Sequence, residues 1–301
     1  ITVALKDGDK TYPGTLDLNN LAVTFNDEVD IMCAPTFTNP EIVITKNGEV
    51  WTGGTASLSG ELTFTATGNG VYTTDTKMTF APKEGESGDS VPVSISFKVT
   101  ERAYSFAGTG TQEDPYIVDS ALSLYHLSKN VNAANKYSGI YFRQTKDIDM
   151  SGIDWVPIGV TQSNGRPNNS KSFQGVYNGG GFKISNLTVD NLDLYGVALF
   201  GATNNATIEN VTIDSTCSFK AGAMVGGVIG VAQATTVKNC RNEADIFSKG
   251  YVNGVYSSRA YGGGIVGYPY YQVNIIGCVN YGTISTEAGK EFVGGIAGEG
   301  A

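Results

Sequence analysis

Three aspartates fall within eight residues in KDIDMSGID: Asp147, Asp149 and Asp154. Carboxylates at such spacing can share a hard cation, or serve as acid and base on a glycosidic bond. Asp147 and Asp149 lie two apart, so a strand puts both on one face and a shared cation site is sterically open. No cofactor is expected, with a calcium ion at these aspartates as the one exception to be tested. Catalysis would need further acids converging on the same groove. Glu209 and Asp214, farther along, stand beside Lys238 and Asn242 instead. No residue is therefore assigned a catalytic role, and an enzyme acting on polysaccharide is the alternative reading.

A second candidate is aromatic. SKGYVNGVYSSRAYGGGIVGYPYYQ carries Tyr251, Tyr256, Tyr261, Tyr268, Tyr270 and Tyr271, with Arg259 among them. Tyrosine offers a flat apolar face and a hydroxyl at low entropic cost, which suits sugar stacking and protein contacts alike. The plainer reading is a segment whose tyrosines cover an underlying core.

Other chemistries lack material. The single histidine, His126, lies in the helix-like SALSLYHLSKNV and reads as a packed or capping residue. A Ser-His-Asp triad or a multi-histidine metal site thus has almost no material to work with. Four cysteines, Cys33, Cys217, Cys240 and Cys278, form no C-x-x-C pair, so a zinc knuckle or dithiol redox site is not expected. VGGVIG (225–230), GGGIVG (262–267) and VGGIAG (293–298) look like phosphate loops, yet no helix-like stretch and no Lys-Ser/Thr follows any of them. Nucleotide binding is excluded on that ground.

Composition narrows the field further. Of 301 residues, 20 are Lys or Arg and 29 Asp or Glu, a net charge of −9 with no basic run. A nucleic-acid partner is not expected, because phosphates need a basic footprint. No stretch reaches the ~20 apolar residues of a membrane helix, so any membrane attachment would go through an anchor outside this sequence. Abundant glycine (39 residues) and tyrosine (16) favour strands separated by turns.

Two regions with different patterning must position these groups. In 1–103, two-residue alternation dominates: VPVSISFKVT puts Val91, Val93, Ile95, Phe97 and Val99 on one face, as a half-buried antiparallel strand does. Asn47-Gly48 marks a hairpin. About seven short strands suit an immunoglobulin-like β-sandwich, without the Cys…Trp…Cys signature of antibody domains. The second region, 104–301, opens with one helix over about 119–133, capped by Asp119 or Ser120. Two motifs then recur in step. ISNLTV (184–189), IENVTI (208–213), VKNCRN (237–242) and IIGCVN (275–280) align, with Leu187, Val211, Cys240 and Cys278 in one column. GVALFG (196–201) and the three glycine motifs align likewise, with Gly201, Gly230, Gly267 and Gly298 in another. Such recurrence implies an all-β protein: an N-terminal sandwich, then a right-handed parallel β-helix with one short capping helix.

In a solenoid the glycines would let neighbouring coils approach closely. Cys240 and Cys278 would stack on adjacent coils, as free thiols or as a disulfide. Asn242 and Asn280 would form an amide ladder. The chain stops just after VGGIAG, so a cap, a partner or further repeats is expected to follow.

Residues 108–301 resemble the GLUG-motif β-helix segments of bacterial surface proteins, common in Bacteroidetes such as Bacteroides and in Gram-positive organisms. Similar segments lie outside the catalytic domain of some immunoglobulin A1 proteases. The resemblance rests on GTGTQEDPYIV, YFRQTKDIDMSGIDWVPIG, FQGVYNGGGFKISNLTV and the glycine motifs. YNGGGF departs from the usual Asp-Gly-Asn-Gly-His type of turn. The resemblance implies an extracellular or cell-surface, adhesin-like protein that binds glycan or a host or cell-surface protein without catalysing a reaction. A stalk or spacer that displays another domain is the remaining alternative.

Overall fold

The chain divides into two compact units, Ile1–Ala103 and Tyr104–Ala301. The computed structural model describes residues 104–162, 166–250, 260–287 and 291–299, with the side chain of 291 excepted. In 1–103 it describes the backbone of the strands alone. Cys33 therefore lies outside the described residues.

In the first unit, Ala22–Phe25, Lys10–Asp17, Thr2–Asp7 and Leu62–Thr65 form one four-stranded sheet. Thr36–Phe37, Val91–Thr100, Val71–Ala81 and Thr55–Leu58 form another. Val91–Thr100 pairs antiparallel with Val71–Ala81, as its alternation predicts. Thr45–Lys46 and Glu49–Val50, the flanks of Asn47-Gly48, also pair antiparallel. One contact in the unit, Thr2–Asp7 with Leu62–Thr65, is parallel.

The second unit begins with the helix Ala121–Asn132, two residues shorter at its start than the sequence suggests. Ser120 caps it in an extended conformation (φ −155°, ψ 162°): its Oγ accepts from the Ser123 amide while Ser123 Oγ accepts from the Ser120 amide. This reciprocal box leaves Asp119 outside the helix. Leu124, Leu127 and Val131 recur along one face and are fully buried. Replacing Ser120 by Ala should lower the unfolding free energy by about 1 kcal/mol, read from urea denaturation.

Among the described residues, every sheet from there on is parallel. The first ladder comprises Tyr116–Val118, Tyr141–Gln144, Val176–Asn178, Thr207–Glu209, Thr236–Lys238 and Asn274–Ile276. The second runs Ile148–Asp149, Lys183–Ser185, Thr212–Ile213, Arg241–Asn242 and Val279–Asn280. A third is built from Phe200–Asn204, Ile229–Gln233 and Val266–Tyr271, and a fourth centres on Ser218–Gly226. Successive passages of the chain add one strand to each ladder in turn, an order compatible with a β-helix.

Strand alternation explains why these short segments hold together. In the first ladder Phe142, Tyr177, Ile208 and Val237 stack in register and are buried. The next position outward carries Arg143, Asn178, Glu209 and Lys238. Inside, Phe106, Phe142, Phe173 and Phe200 pack in sequence with ring centroids 5.3, 5.9 and 5.2 Å apart.

Register corrects one alignment made from sequence. Ile208 pairs with Tyr177, while Ile184 pairs with Ile213, so ISNLTV does not stack on IENVTI. Both segments are a short strand followed by an asparagine in the left-handed region, Asn186 at φ 55° and Asn210 at φ 56°. They occupy different corners of a coil, and the shared turn chemistry makes them look alike. Asn tolerates this conformation better than other side-bearing residues, so it recurs at both corners.

The glycine column does stack as expected. Phe200 pairs with Ile229 and Ile229 with Val266, which sets Gly201, Gly230 and Gly267 one above another. A β-carbon on Gly230 would lie 2.5 Å from the Gly196 carbonyl carbon, and one on Gly298 2.3 Å from the Gly267 oxygen. Ile158 bridges to Phe200, so Gly159 in VPIG belongs to the same column. Proline and tryptophan around it hide that copy in the sequence. The second glycines meet the asparagine ladder: β-carbons on Gly227 and Gly264 would lie 2.3 Å from the amide carbons of Asn242 and Asn280. Asn242 Nδ2 donates to Asn280 Oδ1 at 2.8 Å and to the Ala244 carbonyl at 2.9 Å. A buried amide ladder can sit there because the glycines facing it have no side chain.

Candidate functional site

The tyrosine-rich segment is brought together on one flank. Tyr261 pairs with Phe292 across adjacent strands, and Val231 pairs with Tyr268 on the third ladder. Tyr261 is buried with Ala223, Met224 and Val231, and Tyr195, Tyr268, Tyr270 and Phe292 pack around them. The Tyr261 ring lies 4.4 Å from Tyr268 and 5.3 Å from Phe292, and Tyr268 lies 5.9 Å from Tyr270. The result is an apolar cluster separate from the main core.

Its outer rim is partly exposed. Tyr268 and Tyr270 are half-buried, and Tyr271 is 55% exposed. The Arg166 guanidinium stands 5.2 Å from the Tyr270 ring centroid, a cation–π distance. Rings held this way lose little further freedom when a ligand stacks on them. Tyr261 plays a different part: as a buried element of the cluster it supports the rim. Tyr251, Tyr256 and Arg259 lie outside the described residues. Arg166 was missed in the sequence because it is some hundred residues from Tyr270, with no local spacing to connect them.

The aspartates are spread out. Asp147 Oδ1 accepts from the Lys183 amide at 2.8 Å. Asp149 Oδ1 accepts from the Ser151 amide and from Asn186 Nδ2, each at 2.9 Å. Both serve to tie a turn to the next coil. Among the described residues, no three of His, Cys, Asp or Glu, Asp154 included, are placed to hold a metal ion together. Asp214 receives Lys183 Nζ at 2.9 Å, and that ammonium, with the Thr216 amide, holds its carboxyl below the usual carboxylate range.

His126 is buried and stacks on Tyr104, centroids 4.5 Å apart and planes within 3°. Burial lowers its pKa, which favours the neutral ring of a packing residue.

A cleft of about 370 Å³ opens over the start of the first ladder, where Glu113, Tyr141, Arg143, Asn178 and Glu209 meet. Arg143 and Glu209 flank Asn178 in the outward row, with backbones two strand spacings or about 9.6 Å apart. Asn178 Nδ2 donates to Glu209 Oε1 at 2.8 Å. Ladder register assembles Arg143, Asn178 and Glu209, and the turn before the first strand adds Glu113, so no motif announces them.

VGGVIG joins the strands Ser218–Gly226 and Ile229–Gln233, and no helix follows it. Its amides are therefore not the exposed N–H groups of a helix start.

No family model matches the chain, and no solved structure matches it. It is 29% identical over 201 residues to Halomucin of Haloquadratum walsbyi, covering 59% of this chain and 2% of that protein. It is 28% identical over 132 residues to a putative Gly-rich membrane protein of Evansella cellulosilytica, covering 41% of this chain and 14% of that one. The chain thus spans a small part of either relative.

Proposed function

We propose that this protein is a non-catalytic, adhesin-like module of the cell surface that binds glycan or a surface protein through its tyrosine-rich flank. The observation that carries the reading is the rim of Tyr268 and Tyr270, with Arg166 on Tyr270 and exposed Tyr271 next in the chain, seated on a cluster around buried Tyr261. Pre-ordered rings beside a cation suit pyranose faces and hydroxyls, or the side chains of a protein partner. The finer architecture belongs to the same proposal: an immunoglobulin-like sandwich, then a right-handed β-helix of the GLUG type. The names of the two relatives, a halomucin and a membrane protein, accord with a place at or outside the membrane. In this reading the protein uses no cofactor.

Glycan and matrix-protein arrays test it. The full chain should bind a restricted set, and Tyr270→Ala with Tyr271→Ala should weaken binding at least ~10-fold while leaving the circular dichroism spectrum unchanged. Each stacked ring contributes on the order of 1 kcal/mol. Binding that survives the double variant would dismiss the flank.

A second reading follows from the cleft, whose Glu113 and Glu209 could act on a polysaccharide. Polysaccharide cleavage that is lost in Glu113→Gln or Glu209→Gln would favour it over plain binding.

A further inference from the structure

Cys240 and Cys278 occupy one position on successive coils. The pairs that follow them, Arg241 with Val279 and Asn242 with Asn280, are in register. Parallel neighbours lie ~4.8 Å apart, inside the Cα separation that a disulfide spans. Both are free thiols, Cys240 fully buried and Cys278 half-buried. The Cys278 sulfur reaches toward the coil before it, taking a hydrogen bond from the Cys240 amide at 3.4 Å. The Cys240 sulfur leans the same way, donating to the Ile208 and Lys238 carbonyls at 3.7 and 3.4 Å. Thiol hydrogen bonds are weak, so rotation of the Cys240 side chain away from those carbonyls costs little.

The coil that carries Cys278 is the outermost one described. Its inward residues Ile275, Ile284 and Ile296 are half-buried, whereas Val237, Ile246 and Ile265 directly beneath them are buried. A bond from Cys278 to Cys240 would join this coil covalently to the one beneath it.

We infer that Cys240 and Cys278 are a thiol–disulfide couple that low-molecular-weight disulfides oxidise, clamping one coil to the next. Cys278 is the entry point, because a small disulfide can reach its sulfur but not that of buried Cys240. Its thiolate attacks one sulfur of the small disulfide, forming a mixed disulfide and expelling one thiolate. Cys240 then loses its proton and attacks the Cys278 sulfur, forming the protein disulfide and expelling the second thiolate. Two protein thiols are oxidised and one small disulfide is reduced to two thiols. The two protons released by the protein end on those thiols. The electrostatics agree with this order: a hydrogen bond from Cys240 lowers the Cys278 thiol to about 7, while the same contact and burial push Cys240 up. Cys217 is unsuited to the reaction, since burial raises its thiol to about 11.

Incubating the folded protein with oxidised glutathione, followed by non-reducing tryptic mass mapping, tests the inference. Cleavage after Lys238, Arg241, Arg259 and Lys290 places the two sulfurs on separate peptides, 239–241 and 260–290. The expected product joins these peptides, and Cys240→Ala should instead accumulate one glutathione on Cys278. The oxidised chain should also unfold about 5 °C higher than the reduced one, reversibly with dithiothreitol. The inference is overturned if the two peptides stay unlinked, or if the link forms between other cysteines. An unchanged midpoint in the linked protein would overturn the clamping role. Because the wild-type chain supplies the main readout, the result does not depend on any variant folding, nor on whether the tyrosine flank binds a ligand.

Discussion

Gly230→Ala should destabilise the protein by on the order of 3 kcal/mol, a loss visible in the urea midpoint. The added methyl would sit 2.5 Å from the Gly196 carbonyl carbon, 2.6 Å from the Val197 nitrogen and 2.7 Å from the Gly196 α-carbon. All three atoms are backbone in the preceding coil, so no side chain can swing away. The coils would have to part, breaking the approach of Phe200 to Ile229 across the same ladder. Gly295→Ala, at the third place of the motif and not the sixth, is a control for the substitution itself. It belongs to another copy of the motif, but nothing lies within 4 Å of its β-carbon. It should stay within about 0.5 kcal/mol of the wild type. Equal effects at the two positions would show that glycine is used there for flexibility and not for closeness. Hydrogen exchange gives a local readout, with protection falling first at 196–201 and 225–231.

Phe200→Ala should cost about 3–5 kcal/mol, and Phe200→Leu about 1 kcal/mol, in the same denaturation series. Phe200 is fully buried and packs against Phe173 at 5.2 Å and Tyr177 at 5.3 Å. Removing the ring leaves a void bounded by two other aromatics whose backbones are held in ladders, so the site cannot collapse. Tyr177 adds a polar consequence. Its hydroxyl donates to Gln144 Oε1 at 3.2 Å inside the core, and Gln144 in turn donates to the Lys146 and Lys183 carbonyls at 2.8 and 3.2 Å. Displacing Tyr177 would leave that network short of a partner. A loss below 1 kcal/mol for the alanine variant would mean that the aromatic column is not the centre of the core.

Residues that repeat at the coil period are legible in the sequence. The glycine column, the Cys240–Cys278 stack and the Asn242–Asn280 ladder all follow from aligning copies, because parallel coils put equivalent residues face to face. The helix was legible too, since Ser120, Leu124, Leu127 and Val131 obey a local periodicity and a local cap. The second-corner segment ISNLTV was misplaced because a strand followed by a left-handed asparagine occurs twice per coil, and sequence similarity cannot say which corner is meant. The VPIG copy at 156–159 was overlooked because only Gly159 of its glycines remains.

The candidate sites divide differently. Clustering in sequence pointed to Tyr268, Tyr270 and Tyr271, and also to Asp147, Asp149 and Asp154. The flank gathers Tyr261, Tyr268 and Tyr270, whereas Asp147 accepts from the Lys183 amide and Asp149 from the Asn186 side-chain amide of the neighbouring coil. Contiguity along the chain says little about convergence in a solenoid, since each segment runs on around the coil. What the sequence determined by itself is the period: which residues recur, and hence which stack along the axis. The tertiary structure decided what meets across it and from distant loops, such as Arg166 on Tyr270 or Gly227 on Asn242. Stacking repeats at the coil length and so leaves a signal in one dimension. Contacts around the coil depend on where each turn bends the backbone, and no periodicity records that.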